Sequence, residues 1–271
     1  MRILLPVDGS VYSKTAVKFL AARQAAFGDD LKVHLVNVQN LIPQALIDLL
    51  SLKAVNAYTE TEAKKVFAAL GETLDEVGLV AEKKALTGDI GDTIVAEAKA
   101  TNADLVVMGT HGRSGLSSLL LGSVSIRVLS KIDIPMLLIR EDSPVIKDHL
   151  RIGICVDDPE HAVAGARLVA DHIKFFGTEP DIKVLHVVTA EENAEDAVKP
   201  VLDIFEEAKI PTEFVKLEGI ASKSICDYAE TNLDLLVMGS HGYGNFKSAA
   251  LGSTASRIAA TTKLPMLIVK A

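Results

Sequence analysis

The chain contains the stretch Leu105–Arg140, LVVMGTHGRSGLSSLLLGSVSIRVLSKIDIPMLLIR, and a second version of it at Leu235–Lys270, LLVMGSHGYGNFKSAALGSTASRIAATTKLPMLIVK. The two segments align without a gap and are identical at 14 of 36 positions. In each segment an apolar run typical of a buried strand leads through a glycine-rich loop into a helix, and a second apolar run follows. The repeat indicates a chain built from two related halves.

The segments that precede this repeat also correspond. Ile3–Asp8 (ILLPVD) parallels Ile152–Asp157 (IGICVD), and Val33–Val38 (VHLVNV) is matched with Val184–Thr189 (VLHVVT). The two halves are therefore similar at their starts as well as at their ends.

Two domains are expected from this repeat, at residues 1–142 and 150–271, joined by a short polar stretch. Parallel strands need crossover helices, so the alternation of strands and helices predicts an α/β fold with a doubly wound, five-stranded parallel sheet in each domain. The elements predicted in the first half are strand Ile3–Val7, helix Ser13–Phe27, strand Leu31–Val38, one or two helices in Pro43–Val77, strand Val80–Leu86, helix Ile90–Ala100, strand Asp104–Met108, helix Ser123–Lys131 and strand Met136–Arg140.

The last strand of each half, Met136–Arg140 and Met266–Lys270, is short, apolar and unpaired on one side. Such an edge is a liability in water. We expect the two strands to pair with each other and to form an intramolecular pseudo-dimer, and the sequence also leaves a homodimer open.

Charge and composition narrow the function classes. The net charge of −8 and the sequence pI of about 5.4 argue against partners such as nucleic acid or anionic membranes. There is no apolar run of membrane-spanning length, and the run before Asp8 is too short for a signal peptide. Cys155 and Cys226 form no CxxC motif, which fits a reducing, cytoplasmic environment and predicts no metal site.

The glycine-rich loops carry the functional prediction. Both fit G-x2-G-x9-G-S, beginning at Gly109 and at Gly239 and leading into a helix at Ser123 and at Ser253. The first amides of a helix lack intrahelical partners and lie at its positive end, so such a loop can bind phosphate. Ser123 can cap its helix and offer a hydroxyl as well. The competing interpretation is a tight turn that needs glycine for geometry alone, retained in both halves after duplication.

The loop is not a Walker A motif, which needs G-x4-G-K-(S/T). The sequence resembles a tandem universal stress protein over nearly its whole length, and in that family this longer motif marks the members that bind ATP. The resemblance implies a Rossmann-like fold of the adenine nucleotide alpha hydrolase type. It also implies ATP as the ligand, with Mg²⁺ as an accompanying ion left open.

By that resemblance, Asp8 lies near the ribose or a metal-bridged phosphate, and Val38 contacts adenine through its backbone. The remaining first-half residues expected to bind the nucleotide are Pro6, Val7, Met108, Gly109, His111, Gly112, Arg113, Gly122, Ser123, Val124 and Ser125. The corresponding second-half residues are Asp157, Val187, Gly239, Gly242, Gly252, Ser253 and Thr254.

The second half departs from the first at three points that bear on binding. Tyr243 replaces Arg113 and removes a cation, and Ala255 replaces Ser125 and removes a hydroxyl. Asp158-Pro159 replaces Gly9-Ser10 and adds a negative charge beside the expected site. Each change predicts weaker triphosphate binding, so the first site is expected to be the tighter one.

Three functions fit these residues. The leading one is an adenine-nucleotide-binding regulator of the stress response that is not an enzyme. The second is a slow ATPase or phosphotransferase, in which Asp8, His111 and Arg113 would act on the γ-phosphate, although His111 is more simply a polar residue that fixes the turn. The third is a nucleotide-free interaction module.

Overall fold

The computed structural model of the chain describes residues 1–40, 52–111, 121–143, 149–188, 193–240 and 251–270. The first half contains β1 (Arg2–Pro6), α1 (Val11–Phe27), β2 (Lys32–Gln39), α2 (Leu52–Val77), β3 (Glu82–Thr87), α3 (Ile90–Ala100), β4 (Leu105–Gly109), α4 (Ser123–Lys131) and β5 (Met136–Ile139). The second half contains β6 (Arg151–Cys155), α5 (Pro159–Asp171), β7 (Asp181–Val187), α6 (Ala194–Glu207), β8 (Thr212–Leu217), α7 (Ala221–Asn232), β9 (Leu235–Gly239), α8 (Ser253–Thr261) and β10 (Met266–Val269).

All ten strands form one sheet, in the order β3-β2-β1-β4-β5-β10-β9-β6-β7-β8. Within each half every pair of neighbouring strands is parallel. The chain therefore winds outward from β1 to β3 and then crosses back to β4 on the other side of β1. The expected doubly wound α/β fold is confirmed, and the strand order reverses between β1 and β4 and again between β6 and β9.

The two halves are joined through the strands that the sequence predicts to pair. β5 and β10 are antiparallel, with Leu137 opposite Leu267 and Leu138 opposite Met266. As a result, all strands of the second half run opposite to those of the first. The carboxyl ends of the two sets of strands lie on opposite edges of the sheet.

Each face of the sheet carries a core that crosses the junction between the halves. One core packs α1, α2, α5 and α6 against the sheet, and the other packs α3, α4, α7 and α8. In β1, Ile3 and Leu5 belong to the first core and Leu4 to the second, and all three are fully buried. Covered on both faces, a strand needs the continuous apolar run that the sequence shows.

The helix ends follow from local chemistry. α1 starts two residues earlier than predicted because the Ser10 side chain caps it, accepting a hydrogen bond from the Ser13 amide. It ends at Gly28, whose φ of 72° lies in the left-handed region that favours glycine. Of the predicted helical segment Pro43–Val77, the structure contains α2 from Leu52 onward, and residues 43–51 lie outside the described ranges.

The outermost strand of the first half lies further along the chain than predicted. The prediction placed it at Val80–Leu86, whereas β3 spans Glu82–Thr87. The reason is the Gln24 side chain, which accepts a hydrogen bond from the Val80 amide (2.8 Å) and donates one to the Val80 carbonyl (3.0 Å). The backbone of Val80 is thereby bound to α1 rather than to the sheet.

No helix in the described part of the chain is long and apolar enough to cross a membrane.

The junction between β5 and β10 gives a stability prediction. Leu267 is buried beside Leu137, so Leu267→Ala should lower the free energy of unfolding by about 2–5 kcal/mol through lost burial and a residual cavity. Urea unfolding measures this change. Val80→Ala is the control, because Val80 is 76% exposed, and it should change stability by less than about 0.5 kcal/mol. Equal effects of the two substitutions would contradict a packed junction.

Candidate functional site

The candidate site of the first half lies where the strand order reverses. β1 pairs with β4 through Ile3–Leu105 and Leu4–Val106, so the residues that follow β1 and those that end β4 share one edge of the sheet. Ligands of open α/β sheets bind at such a point, outside the carboxyl ends of the strands. The structure thus brings Pro6, Val7 and Asp8 to the same edge as Met108 and Gly109.

Two backbone hydrogen bonds fix the base of the first glycine loop. The Thr110 amide donates to the Ile139 carbonyl (2.9 Å), and the Gly122 amide donates to the Thr110 carbonyl (2.7 Å). The beginning of α4 is therefore held against the end of β4. Three predicted loop residues, Gly112, Arg113 and Gly242, lie outside the described ranges.

The second half repeats this base. The Ser240 amide donates to the Val269 carbonyl (2.9 Å), and the Gly252 amide donates to the Ser240 carbonyl (2.7 Å). Both loops therefore begin and end at one hydrogen-bonded point, beside which α4 or α8 starts.

Gly122 is the N-cap of α4, with φ −62° and ψ 153°. This extended conformation is open to any residue, so glycine is not required by a positive φ. Space favours glycine instead, because a Cβ atom here would lie 3.0 Å from the Thr110 carbonyl oxygen, and this contact would have to lengthen by a few tenths of an ångström.

The prediction that Ser123 caps α4 is wrong. Gly122 occupies the cap position without a side-chain hydrogen bond, and Ser123 is the first helical residue. The first intrahelical bond runs from the Ile126 amide to the Gly122 carbonyl, so the amides of Ser123, Val124 and Ser125 belong to the turn that a helix leaves without intrahelical partners. In the second half Ser253 and Thr254 occupy the same turn, because the Ser256 amide donates to the Gly252 carbonyl.

The hydroxyl of Ser125 serves the loop rather than an open site. It is buried and donates to the Gly109 carbonyl at 3.0 Å and to the Thr110 carbonyl at 3.4 Å. Ala255 replaces it in the second half, so that half lacks a bond that ties the helix to the loop base. This difference between the halves is one of loop anchoring, not of a lost phosphate-facing hydroxyl.

Tyr12 covers the loop base of the first half. A Cβ atom on Gly109 would lie 2.7 Å from the Tyr12 Cβ, so this contact needs glycine at the end of β4. The Tyr12 ring also packs against the His111 ring, with 5.4 Å between centroids, and His111 Nδ1 lies 3.3 Å from the Thr110 hydroxyl. These contacts hold His111 within the turn.

The turn after β1 is organised by Asp8. Its Oδ1 accepts hydrogen bonds from the Ser10 amide (2.9 Å) and from the Ser13 hydroxyl (2.8 Å). Gly9, which lies between Asp8 and Ser10, has a φ of +81°. This conformation is strained for a residue with a side chain.

The matching turn of the second half follows Asp157 and is built differently. Asp158 caps α5, accepting from the amides of Glu160 (2.9 Å) and His161 (3.3 Å). Burial raises the pKa of Asp158, but hydrogen bonds from the His161 side chain and these amides outweigh it and leave that pKa below its ordinary value. Asp158 is therefore held in its charged form, and its carboxylate is bound to the first amides of its own helix.

Strand register corrects one alignment made from sequence. Val33 lies opposite Ile3, and Ile182, not Val184, lies opposite Ile152. Val33 of β2 therefore corresponds to Ile182 of β7, two residues before Val184. In this register Val187 is the counterpart of Val38.

The same register reveals a pair of residues that sequence reasoning missed. The Asn37 side chain donates to the Val7 carbonyl at 2.7 Å, and His186 Nδ1 donates to the Val156 carbonyl at 2.8 Å. Each side chain ties the end of β2 or β7 to the residue before the site aspartate. The sequence marker would have been a buried polar residue just before Val38 and Val187.

A cleft of about 420 Å³ lies elsewhere, between the ends of α1 and α2 and the starts of β2 and β3. Its lining includes Gln24, His34 and Glu82 and none of the predicted site residues. Among the described residues, no group of three or more His, Cys, Asp or Glu side chains could hold a metal ion.

Thiol chemistry near the second-half site gives a prediction. Burial raises the pKa of Cys155 to about 12, with smaller contributions from Cys226 and Asp157. At pH 8 only about one Cys155 thiol in 10⁴ is then ionised. Iodoacetamide should modify half-buried Cys226 first, even though burial also raises the pKa of Cys226. Mass spectrometry of the folded chain checks this order, with urea-unfolded chain as the control in which both thiols react. Faster labelling of Cys155 would contradict the burial.

Comparisons with known proteins show the family to which the chain belongs. The model of the universal stress protein family matches residues 1–140 and 150–270. A universal stress protein of Mycolicibacterium smegmatis is 28% identical over 294 residues, covering 99% of this chain and 96% of that protein. One of Thermus aquaticus is 34% identical over 139 residues, covering 51% of this chain and 97% of the relative.

Among solved structures, a universal stress protein from Archaeoglobus fulgidus has the same fold. Its TM-score is 0.76 at 21% identity, over 99% of this chain and 96% of that one. Two doubly wound halves, each with a glycine loop at its point of reversal, define a tandem α/β protein of the Rossmann-like class. The chain belongs to the universal stress protein family, and each half of the chain matches the family model separately.

Proposed function

We propose that this chain binds an adenine nucleotide, ATP foremost, at the carboxyl edge of its first half. The observation that carries the proposal is the bond between the Gly122 amide and the Thr110 carbonyl. It holds the first turn of α4 beside the end of β4, at the point where the strand order reverses. Amides in that position form an anion site suited to phosphate.

In this proposal the loop and the first turn of α4 bind the phosphates, and the ends of β1 and β2 bind the nucleoside. Asp8 faces the ribose or a metal-bridged phosphate, and the Val38 backbone faces adenine. The residues assigned to phosphate are Gly109, His111, Gly112, Arg113, Gly122, Ser123, Val124 and Ser125, the last through its amide.

The second half forms a weaker site on the opposite edge of the sheet, at Asp157, Val187, Gly239, Gly242, Gly252, Ser253 and Thr254. Its loop lacks the Ser125 anchor, since Ala255 stands there. It also has Tyr243 where the first half has Arg113. Antiparallel pairing of β5 with β10 separates the two sites, so each binds its own nucleotide.

The proposal extends to the role of the chain. Two domains, residues 1–142 and 150–271, act as an intramolecular pseudo-dimer, and nucleotide occupancy regulates a cytoplasmic stress response. The acidic charge of −8 disfavours nucleic acid and anionic membranes as partners.

Substitution at Gly122 tests the phosphate role. Gly122→Val should weaken ATP binding at the first site at least about 100-fold, because its side chain blocks the approach of phosphate to the α4 amides. The extended φ of Gly122 is open to valine, and the close contact of its Cβ with the Thr110 carbonyl needs only a small shift, so the chain should stay folded. Calorimetry measures binding, and circular dichroism with a melting curve checks folding.

Two matched variants complete this test. Gly252→Val should remove only the weaker binding event. Gly71→Ala lies within α2, where a Cβ atom meets nothing within 4 Å, and should leave binding unchanged. ATP affinity retained in a folded Gly122→Val protein would refute the proposal, and a tighter second site would refute the order of the two sites.

The proposed function is binding rather than turnover. Asp8 already accepts hydrogen bonds from Ser10 and Ser13, and His111 is packed against Tyr12, so neither is arranged as a free general base. With magnesium and ATP, phosphate release should stay well below about 1 s⁻¹, the lower range of dedicated enzymes. A rate at or above that value, absent in Gly122→Val, would establish the ATPase function instead.

A further inference from the structure

Arg140 follows the last residue of β5 and reaches from the first half into the second. Its guanidinium donates a hydrogen bond to the Ala259 carbonyl, near the end of α8. The helix ends at Thr261 and Thr262 is extended, so the Ala259 carbonyl is among those that a helix leaves without an intrahelical partner. A cation at this end also interacts favourably with the helix dipole. Arg140 therefore caps a helix of the other half.

The backbone beside Arg140 holds the first glycine loop. The Ile139 carbonyl accepts the Thr110 amide, and the Thr110 carbonyl accepts the Gly122 amide. The Arg140 amide itself donates to the Ser143 hydroxyl at 2.9 Å. A continuous series of bonds thus runs from Ala259 of the second half to Gly122, the N-cap of α4.

Tyr12 joins the same cluster from the other side. It packs on Gly109 and on the His111 ring. Burial lowers the pKa of Arg140 below its ordinary value, and Tyr12 acts in the opposite direction. A half-buried cation needs polar partners, and the Ala259 carbonyl of the second half is one of them.

The helix that Arg140 caps is also the helix of the second glycine loop. α8 starts at Ser253 and has nine residues, which span about 13 Å at 1.5 Å per residue. Its first turn therefore lies at the second site, and its last turn lies at the edge that carries the first site. The contact joins the base of one loop to the helix that serves the other.

We propose that Arg140 is a positioning residue through which the second half holds the base of the first glycine loop in its nucleotide-binding geometry. Its effect on affinity rests on the proposed function. The first site is thus complete only when the second half is present. Lys270 stands at the matching place in the repeat. Burial lowers the pKa of its ammonium, and the charge of Asp133 offsets only part of this effect. An ammonium lacks the planar, multidentate donor set of a guanidinium, so the arrangement is not equivalent in the second half.

Amide hydrogen exchange on the full chain without ligand tests the positioning role. Arg140→Met keeps the aliphatic stem but removes the donors, and it should speed exchange of the Thr110 and Gly122 amides about tenfold while leaving Ser240 unchanged. Arg140→Lys should restore part of the protection. Lys270→Met, the matched control, should leave Thr110 unchanged.

Calorimetry then tests the consequence for binding. The binding experiment uses the Gly252→Val variant, in which only the first site is expected to bind. In this variant Arg140→Met should weaken the binding of a non-hydrolysable ATP analogue about tenfold, and Arg140→Lys should recover part of that loss. Unchanged exchange at Thr110, or equal acceleration throughout the chain, would overturn the role of Arg140. Should Arg140→Met not fold, Arg140→Gln is measured by the same criteria. If the unsubstituted chain binds no analogue, the proposed function fails, while the exchange result still decides the role of Arg140.

Discussion

The antiparallel pairing of β5 with β10 is the constraint on which the rest of the structure depends. It turns two five-stranded sheets into one ten-stranded sheet and removes two apolar edges from water. Because the pairing is antiparallel, the strands of the second half run opposite to those of the first. The two glycine loops, which follow the carboxyl ends of β4 and β9, therefore start at opposite ends of the strands. The cores on both faces continue across this junction, so neither half is packed independently of the other.

The edges that remain, β3 and β8, are protected in another way. β3 is largely exposed and carries Lys83 and Lys84, and Glu213 of β8 pairs with Lys183 on the neighbouring strand. Charged side chains on an edge strand disfavour pairing with a further chain. Pairing thus removes the two edge strands at the centre of the sheet, and charged side chains protect the two outermost strands.

The two halves keep the same glycine-loop base but have diverged around it. Identical backbone bonds anchor Thr110 and Gly122 in one half and Ser240 and Gly252 in the other. By contrast, the turn that follows the site aspartate uses a glycine with positive φ in the first half and a capping aspartate, Asp158, in the second. Backbone geometry at the loop base is therefore retained where side-chain chemistry is not, which fits a scaffold tuned separately for each site.

The sequence by itself determined the repeat, the order of strands and helices, the doubly wound fold and the glycines at the loop base. These features are local, since apolar runs, helical spacing and glycine motifs are properties of neighbouring residues. The register of β7 was decided only by the tertiary structure, because several alignments of apolar residues satisfy the same pattern and hydrogen bonding selects one. Packing likewise decided that the Ser125 hydroxyl binds the loop. The contact of Arg140 with Ala259 spans 119 residues, and only the folded sheet brings such distant groups together.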